Sequence, residues 1–309
     1  MVNEIRVSVP GSIMLMGEHA VLHGELALAC AVDKYLYVTL TPRTDQTVIV
    51  DSALAHYQGS LHDLQHEPKL GFVLAAIDAL KAHLSNGFSL CVRSEFAHTL
   101  GLGSSAAVSV GVVAALSAYA QLDTSPAALF DRALGIVHKV QDGRGSGTDL
   151  AASVYGSVVA FRVSPRSVET LPFDSDLCLY YSGYKTKTVD VLKIVEQLSR
   201  SDPGIHAALY RLMGQVTAQA KIAIGQHDMQ RLGVLMNTYQ GLMDALGVSD
   251  HTLCDIVYRL RNSPDILGAK ISGSGLGDCV LGLGAQSVAG LGYESIPVAI
   301  SPKGVHFGH

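Results

Sequence analysis

The sequence predicts an α+β protein built from two domains. Its 309 residues exceed the size of an ordinary single domain. Strand-like and helical segments mix in the first half, whereas the second half runs from a strand through three helical segments to a glycine-rich strand and a last strand. A polar stretch at 164–176 is the candidate linker between them, which gives predicted domains of 1–172 and 173–309.

The first half contains several strand candidates and three helix candidates. β-branched and aromatic residues favour strands at 4–9, 35–41 and 88–94. Apolar residues recur at helical spacing over 70–84 and 106–121. A third helix begins at SPAALF, where Ser125 is the predicted N-cap and Pro126 the first helical residue.

The second half follows the strand-like VYGSVVAFRV and the linker. LCLYYSG predicts a strand, and helical patterns then follow at 204–225, 228–246 and 250–262. The apolar, glycine-rich GAKISGSGLGDCVLGLG and the final strand SIPVAI complete an α+β unit.

Composition excludes several classes of protein. Hydrophobic residues make up 48% and charged residues 16% of the chain, which argues for a compact globular protein. No apolar run reaches the length of a membrane span and MVNEIRVSVPGS lacks the features of a signal peptide, so we expect a cytoplasmic protein with no membrane partner. A net charge of -5 offers no general attraction for nucleic acid. The five cysteines lack CxxC spacing and are expected to be buried free thiols.

The stretch GLGSSAAVSVGVVAAL, residues 101–116, puts glycines and serines directly before a helical run of small apolar residues. Small residues at a helix start leave backbone N–H groups accessible, and the positive end of the helix dipole attracts anions. Gly101 and Gly103 would shape the turn, while the hydroxyls of Ser104 and Ser105 could bind phosphate or a metal ion. The stretch is neither a Walker A loop nor GxGxxG after a strand. A plain glycine-rich turn that only starts a helix is the alternative.

Two pairs of histidines stand four residues apart, His19 with His23 and His62 with His66. Neither pair reads HExxH, and no third metal ligand can be named for the second pair. We interpret the second pair as a solvated helix face. The first pair lies in the glycine-bounded block GEHAVLHG.

Three blocks resemble, in order and spacing, the three motifs of the GHMP small-molecule kinase superfamily. They are PGSIMLMGEHAVLHGELALA at 10–29, HTLGLGSSAA at 98–107 and AKISGSGLGDCV at 269–280. The resemblance covers nearly the whole chain, and GEHAVLHG together with LGAKISGSG is similar to the mevalonate kinase family. HKVQDGRGSGTDLAASVYGS, at 138–157, has flanks that resemble phosphomevalonate kinases instead.

The resemblance implies a fold and two bound groups. The first domain would be like the second domain of ribosomal protein S5, the second would be ferredoxin-like, and ATP with Mg²⁺ would bind between them. The residues implied at the nucleotide are Gly101, Leu102, Gly103, Ser104, Ser105, Ala106, Gly273, Ser274 and Gly275. Ser105 would also be a Mg²⁺ ligand. Helix capping by the serines and tight packing by the third-motif glycines are the alternatives.

The resemblance also assigns residues to the acceptor. SGTD aligns Asp149 with the family's catalytic aspartate, which accepts the proton of the substrate hydroxyl or orients that hydroxyl. A helix N-cap is the alternative for Asp149, since GSGTDLAAS is a good capping sequence. Glu18 and His19 align with residues that border the substrate, although Glu18 could instead be a buried partner of a backbone group or cation. Lys270 is expected to be structural.

Two positions depart from the family. Relatives carry a lysine in the first motif, paired with the catalytic aspartate, where this chain has Ser12. Ser12 therefore borders the expected substrate site but supplies no charge. The usual metal-binding glutamate aligns with His138, a poor ligand for Mg²⁺, which prefers oxygen. Asp142 could bind the ion instead, or be a turn residue.

Cations that could replace the missing lysine lie on two loops. Arg144, five residues before Asp149, is the predicted catalytic cation. Lys185 and Thr186 in SGYKTKT, with Lys187 beside them, are predicted to reach a carboxylate or phosphate of the substrate. Each cation could also be a solvated surface charge.

The predicted function is ATP-dependent phosphorylation of a hydroxyl on a small carboxylic acid, with mevalonate as the acceptor in isoprenoid precursor synthesis. Phosphomevalonate kinase or another GHMP kinase is the alternative, and a non-catalytic ligand-binding member of the fold is a third. The expected partner is the small-molecule substrate. The resemblance also suggests a possible homodimer, because relatives are often dimers. Adenine is expected to bind within 55–75.

Overall fold

The computed structural model describes residues 4–308. Its helices are α1 (Gly71–Leu80), α2 (Ser104–Tyr119), α3 (Pro126–Val140), α4 (Thr148–Tyr155), α5 (Thr188–Ser201), α6 (Pro203–Gly225), α7 (Met229–Ala245) and α8 (His251–Arg261). Its strands are β1 (Ile5–Met16), β2 (Ala27–Pro42), β3 (Thr47–Ser52), β4 (His56–Ser60), β5 (Phe88–Ser94), β6 (Val158–Arg162), β7 (Ser167–Leu171), β8 (Leu177–Tyr181), β9 (Gly268–Ser272), β10 (Cys279–Leu283), β11 (Glu294–Ile296) and β12 (His306–Gly308).

The first sheet carries helices α1 to α4. Its strand order is β12-β1-β2-β5-β3-β4, with β6 paired to β2 and β7 paired to β6. The pairs are antiparallel except for β3 with β5. α2 is buried on nearly all sides because it packs on β1 and β2 and also contacts α1 and α3. Its small residues allow this close approach, since a Cβ at Gly111 would meet a methyl group of Val38.

The second sheet is antiparallel, with the order β11-β8-β10-β9. α7 and α8 pack on β9, and α6 packs along α7. β9 also contacts β1, so the two sheets meet where the first and third sequence motifs lie. The connections that follow β8 and β9 therefore face the first domain.

Most of the predicted elements are confirmed, including the start of α3. Ser125 accepts a hydrogen bond from the backbone N–H of Ala128 at 3.4 Å, and Pro126 is the first residue of the helix. Two expectations are wrong. The stretch 164–176 contains β7, a largely exposed strand that forms by pairing with β6. Residues 62–66 form no helix, so His62 and His66 do not share a helix face.

The chain ends on the first sheet. β12 pairs with β1, and Ile300 bridges to Val32 of β2, so the predicted range 173–309 does not coincide with the second sheet. The boundary at residue 172 stays a prediction.

The five cysteines are free thiols, as expected, and three of them are buried while Cys91 and Cys254 are partly exposed. None of the helices between residues 4 and 308 combines the length and the apolar character that crossing a bilayer requires.

Candidate active site

A cavity of about 1040 Å³ opens between the two domains. The first domain lines it with the connection after β1 and the loops that precede α2 and α4. The second domain contributes the loops after β8 and β9. Both glycine-rich blocks and the SGTD segment therefore meet at one space.

The loop before α2 presents the start of that helix to the cavity. α2 begins at Ser104, and the N-cap Gly103 has a φ of 64°, in the left-handed region. Gly101, Gly103, Ser104 and Ser105 line the cavity. The first N–H groups of a helix have no intrahelical partner, and together with the helix dipole they suit an anion such as phosphate.

Glycine is required in this loop because other groups approach it closely. A Cβ at Gly101, whose φ is also 64°, would overlap the carboxylate of Asp278. A Cβ at Gly103 would overlap the hydroxyl of Ser12. The N–H of Ser12 also donates to the carbonyl of Leu102 at 3.1 Å, which fixes the loop to β1.

Asp149 lies in the first turn of α4, after the N-cap Gly147. Its carboxylate is not the helix cap; Oδ1 instead accepts a hydrogen bond from Ser12 Oγ at 3.1 Å. Burial raises the pKa of Asp149, the Ser12 hydroxyl and the charge of Lys185 oppose this rise, and Asp278 adds to it. Asp149 is thus a recessed carboxylate with a raised pKa, which is a common property of groups that transfer protons in enzymes.

Asp278, which precedes β10, is a site residue that the sequence reasoning missed. Its Oδ2 lies 3.1 Å from Nζ of Lys185, and its side chain is 12% exposed. Burial raises its pKa, and Lys185 opposes the rise. The signal in the sequence was an aspartate between glycine-rich turns, which by itself indicates only a turn.

His19 and Glu18 follow β1 and face different partners. His19 Nε2 lies 2.9 Å from the carbonyl of Ser274, so Nε2 carries the proton, and burial lowers the pKa of the ring. Its buried Nδ1 has no partner among residues 4–308 and can accept a hydrogen bond from a ligand.

Glu18 Oε1 accepts a hydrogen bond from Lys270 Nζ at 2.5 Å, and both side chains are buried. That contact favours the interpretation of Glu18 as a buried partner of a cation.

Four of the predicted site residues do not line the cavity: Ser12, Leu102, Thr186 and Gly275. The buried Ser12 donates to Asp149, and the Leu102 side chain is buried in the core. The Thr186 hydroxyl donates to the carbonyl of Leu276, and a Cβ at Gly275 would meet the backbone of Val248. These four residues therefore contact other parts of the protein and do not border the space for a ligand.

Four further residues of interest line the cavity, whereas His138 and Asp142 do not. Gly273, Ser274 and the buried Ala106 line the cavity, and Arg144 is an exposed residue at its edge. His138 Nε2 lies 3.1 Å from the carbonyl of Gly145. Asp142 is an exposed turn residue with a φ of 52°, outside the cavity lining.

Ser105 and Asp278 carry the candidate oxygen donors for Mg²⁺. Residues 4–308 contain no ready group of three or more His, Cys, Asp or Glu side chains that could hold a metal ion. Mg²⁺ commonly binds one or two protein oxygens and completes its shell with phosphate and water. Ser105 lines the cavity, and the buried Oδ1 of Asp278 has no partner within the described chain. These donors fit Mg²⁺ shared with a nucleotide.

Two family descriptions match the chain. Residues 71–157 match "GHMP kinases N terminal domain", and residues 220–290 match "GHMP kinases C terminal". The chain is 32% identical to a mevalonate kinase of Aeropyrum pernix, an alignment that covers 94% of this chain and 92% of that protein. A mevalonate kinase of Methanothermobacter thermautotrophicus is 31% identical, with 89% and 88% covered.

Solved structures share the fold. The structure of L. major mevalonate kinase in complex with R-mevalonate has a TM-score of 0.78 at 24% identity and covers 96% of both chains. That of Streptococcus pneumoniae phosphomevalonate kinase in complex with phosphomevalonate and AMPPNP has a TM-score of 0.80 at 20% identity, covering 96% of this chain and 99% of that one. The predicted two-domain α+β fold is thereby confirmed.

Proposed function

The chain belongs to the GHMP kinase family, and we propose that it transfers the γ-phosphoryl group of ATP to the hydroxyl of mevalonate. The main support for the proposal is that Asp149 and the start of α2 line the same cavity. A candidate base and a candidate phosphate-binding site are therefore available to the same bound molecules. The mevalonate kinases of Aeropyrum pernix and Methanothermobacter thermautotrophicus, each aligned with about nine tenths of this chain, support mevalonate as the acceptor.

In the proposed reaction, the acceptor oxygen bonds to the γ-phosphorus while the bond from that phosphorus to the β–γ bridging oxygen breaks and releases ADP. Asp149 takes the proton of the hydroxyl. The N–H groups at the start of α2 stabilise the charge of the phosphates. His19 would accept a hydrogen bond from the acceptor through its free Nδ1.

Mg²⁺ would be held by the Ser105 hydroxyl and by Oδ1 of Asp278. When bound, the ion neutralises negative charge on the phosphate oxygens. For adenine we propose the apolar wall formed by Leu54, Pro68 and Phe72, which lines the cavity beside α1.

The direct test is ADP release by the purified protein with MgATP, measured with mevalonate and with 5-phosphomevalonate side by side. We expect turnover on mevalonate. Turnover on 5-phosphomevalonate alone would assign the protein to the phosphorylated acid, and ATP binding without turnover on either acid would contradict the proposal.

Asp149→Asn tests the proposed base. The amide keeps the shape of the carboxylate but cannot take the proton, so kcat should fall by about 10² to 10⁴ while the affinity for ATP changes little. Asp131→Asn, on the exposed face of α3, is a matched control and should retain full kcat. Near-normal kcat in Asp149→Asn would remove it from the chemistry.

A further inference from the structure

The end of the cavity beside the loop before α2 has two carboxylates. Asp149 and Asp278 both face the cavity, and Asp278 lies against Gly101 of the loop before α2. Phosphoryl transfer needs positive charge at the transferred group. Ser12 is neutral and already donates to Asp149. A side chain that adds positive charge beside Mg²⁺ and the start of α2 must therefore be supplied by another residue.

Lys185 reaches this space from the second domain. Its Nζ lies 3.1 Å from Oδ2 of Asp278, and its side chain is 31% exposed, so the ammonium keeps access to the cavity that it lines. Its charge also opposes the burial that raises the pKa of Asp149. Lys185 thus pairs with one carboxylate, and its charge acts on the other.

The loop that carries Lys185 is fixed to the loop that carries Asp278. The backbone N–H of Asp278 donates to the carbonyl of Tyr184 at 2.8 Å, and the N–H of Ser182 donates to the carbonyl of Asp278 at 2.9 Å. The Thr186 hydroxyl adds a bond to the Leu276 carbonyl at 2.5 Å. These bonds hold Lys185 in position before a ligand binds, which reduces the cost of ordering a long side chain.

The backbone of Asp278 has a φ of 73°, a conformation that a residue with a side chain seldom adopts. Such strain persists where the surrounding structure enforces it and often marks a functional site. Here the bonds to residues 182–184 enforce it, and the result is a carboxylate directed at Lys185 and at Gly101.

We propose that Lys185, oriented by Asp278, is the catalytic cation that contacts the transferred phosphoryl group. The inference rests on the proposed phosphoryl transfer. Lys185 stays protonated throughout: the hydroxyl proton goes to Asp149, and ADP leaves with the bridging oxygen.

The test compares Lys185→Met and Lys185→Arg with the control Lys193→Met, whose exposed side chain pairs with Asp190 on α5. Lys185→Met should lower kcat by about 10² to 10³, as expected for loss of one group that stabilises transition-state charge. Lys185→Arg should recover part of that loss because the charge remains. Lys193→Met should match the unaltered protein.

Calorimetric affinities for ATP and ADP without acceptor give a second measurement. Lys185→Met should weaken binding of ATP several-fold and leave ADP unchanged, because only ATP carries the terminal phosphate. The inference would be overturned if Lys185→Met bound ATP and ADP each as tightly as the unaltered protein does. It would also be overturned if the kcat of Lys185→Met stayed within threefold of that of the unaltered protein. A third contrary result would be that Arg144→Ala lowers kcat while Lys185→Met does not. If the unaltered protein turned over neither acid, the proposed function would fail, while the ATP–ADP comparison would still decide whether Lys185 contacts the terminal phosphate.

Discussion

Ser12 donates its hydroxyl hydrogen to Asp149, and this bond connects the first sequence motif to the proposed base. Burial raises the pKa of Asp149, and Asp278 raises it further. The Ser12 hydroxyl and the Lys185 charge act in the opposite direction because both stabilise the ionised carboxylate. The pH at which the base loses its charge therefore depends on these three neighbours.

Ser12→Ala should move the acidic limb of kcat/KM to higher pH. Asp149 must be ionised to accept a proton, so activity is lost as the pH falls through its pKa, and removing the hydroxyl raises that pKa. A hydrogen bond to a charged group contributes about 1.5 kcal/mol, which corresponds to about one pH unit. The measurement is kcat/KM against pH, with Ser8→Ala on the same strand as the control. A limb that stays in place or moves to lower pH would contradict the hydrogen bond.

Individual site residues were predictable from the sequence where they belong to a recognisable local motif. SGTD identified Asp149, and the serine-glycine run identified Ser104 and Ser105 as cavity residues. Asp278 was missed because its setting arises from hydrogen bonds to a loop almost 100 positions earlier in the chain. Nothing in the residues around it encodes that contact.

Among the elements, the start of α2 depends most on its glycines. Gly103→Ala should weaken ATP binding at least tenfold, because a Cβ would overlap Ser12 Oγ and a φ of 64° costs alanine about 1 kcal/mol. Displacing this residue turns the free N–H groups of α2 away from the phosphates. Calorimetric titration with ATP measures the effect.

Gly135→Ala is the matched control for that substitution. Gly135 lies in the middle of α3, where a Cβ would meet nothing within 4 Å, so alanine should stabilise the helix by about 0.5 to 1 kcal/mol and leave ATP affinity unchanged. Unaltered ATP affinity in Gly103→Ala would show that this loop does not hold the phosphates.

Elements were predictable where their own residues determine them. The long helices α6 and α7 followed from apolar periodicity, and α3 from its Ser-Pro start. β7 was missed because its exposed, polar residues form a strand only by pairing with β6. α5 does carry a signal that the sequence reasoning passed over, since its two buried residues, Val191 and Val195, stand four apart.

At the scale of the whole molecule, a buried ion pair connects the two domains. Glu18 follows β1 and Lys270 lies in β9, and their side chains are 2% and 0% exposed. Tyr239 of α7 contacts both, with its hydroxyl donating to the Glu18 carbonyl at 2.9 Å and its ring 5.4 Å from the ammonium. Burial raises the pKa of Glu18 and lowers that of Lys270, and each charge opposes the effect on the other. Sequence motifs gave both residues, but not their pairing across 252 positions.

Lys270→Met should destabilise the protein by about 3 to 5 kcal/mol, because it leaves the Glu18 carboxylate buried without its partner. Urea unfolding measures the change. Adding Glu18→Gln should recover a large part of the loss, since the neutral amide has a smaller desolvation cost. Lys221→Met, which breaks an exposed pair with Glu169, should cost less than about 1 kcal/mol. If the double variant were as unstable as Lys270→Met alone, the loss would come from the packing of the lysine stem against Tyr239 rather than from the unpaired charge.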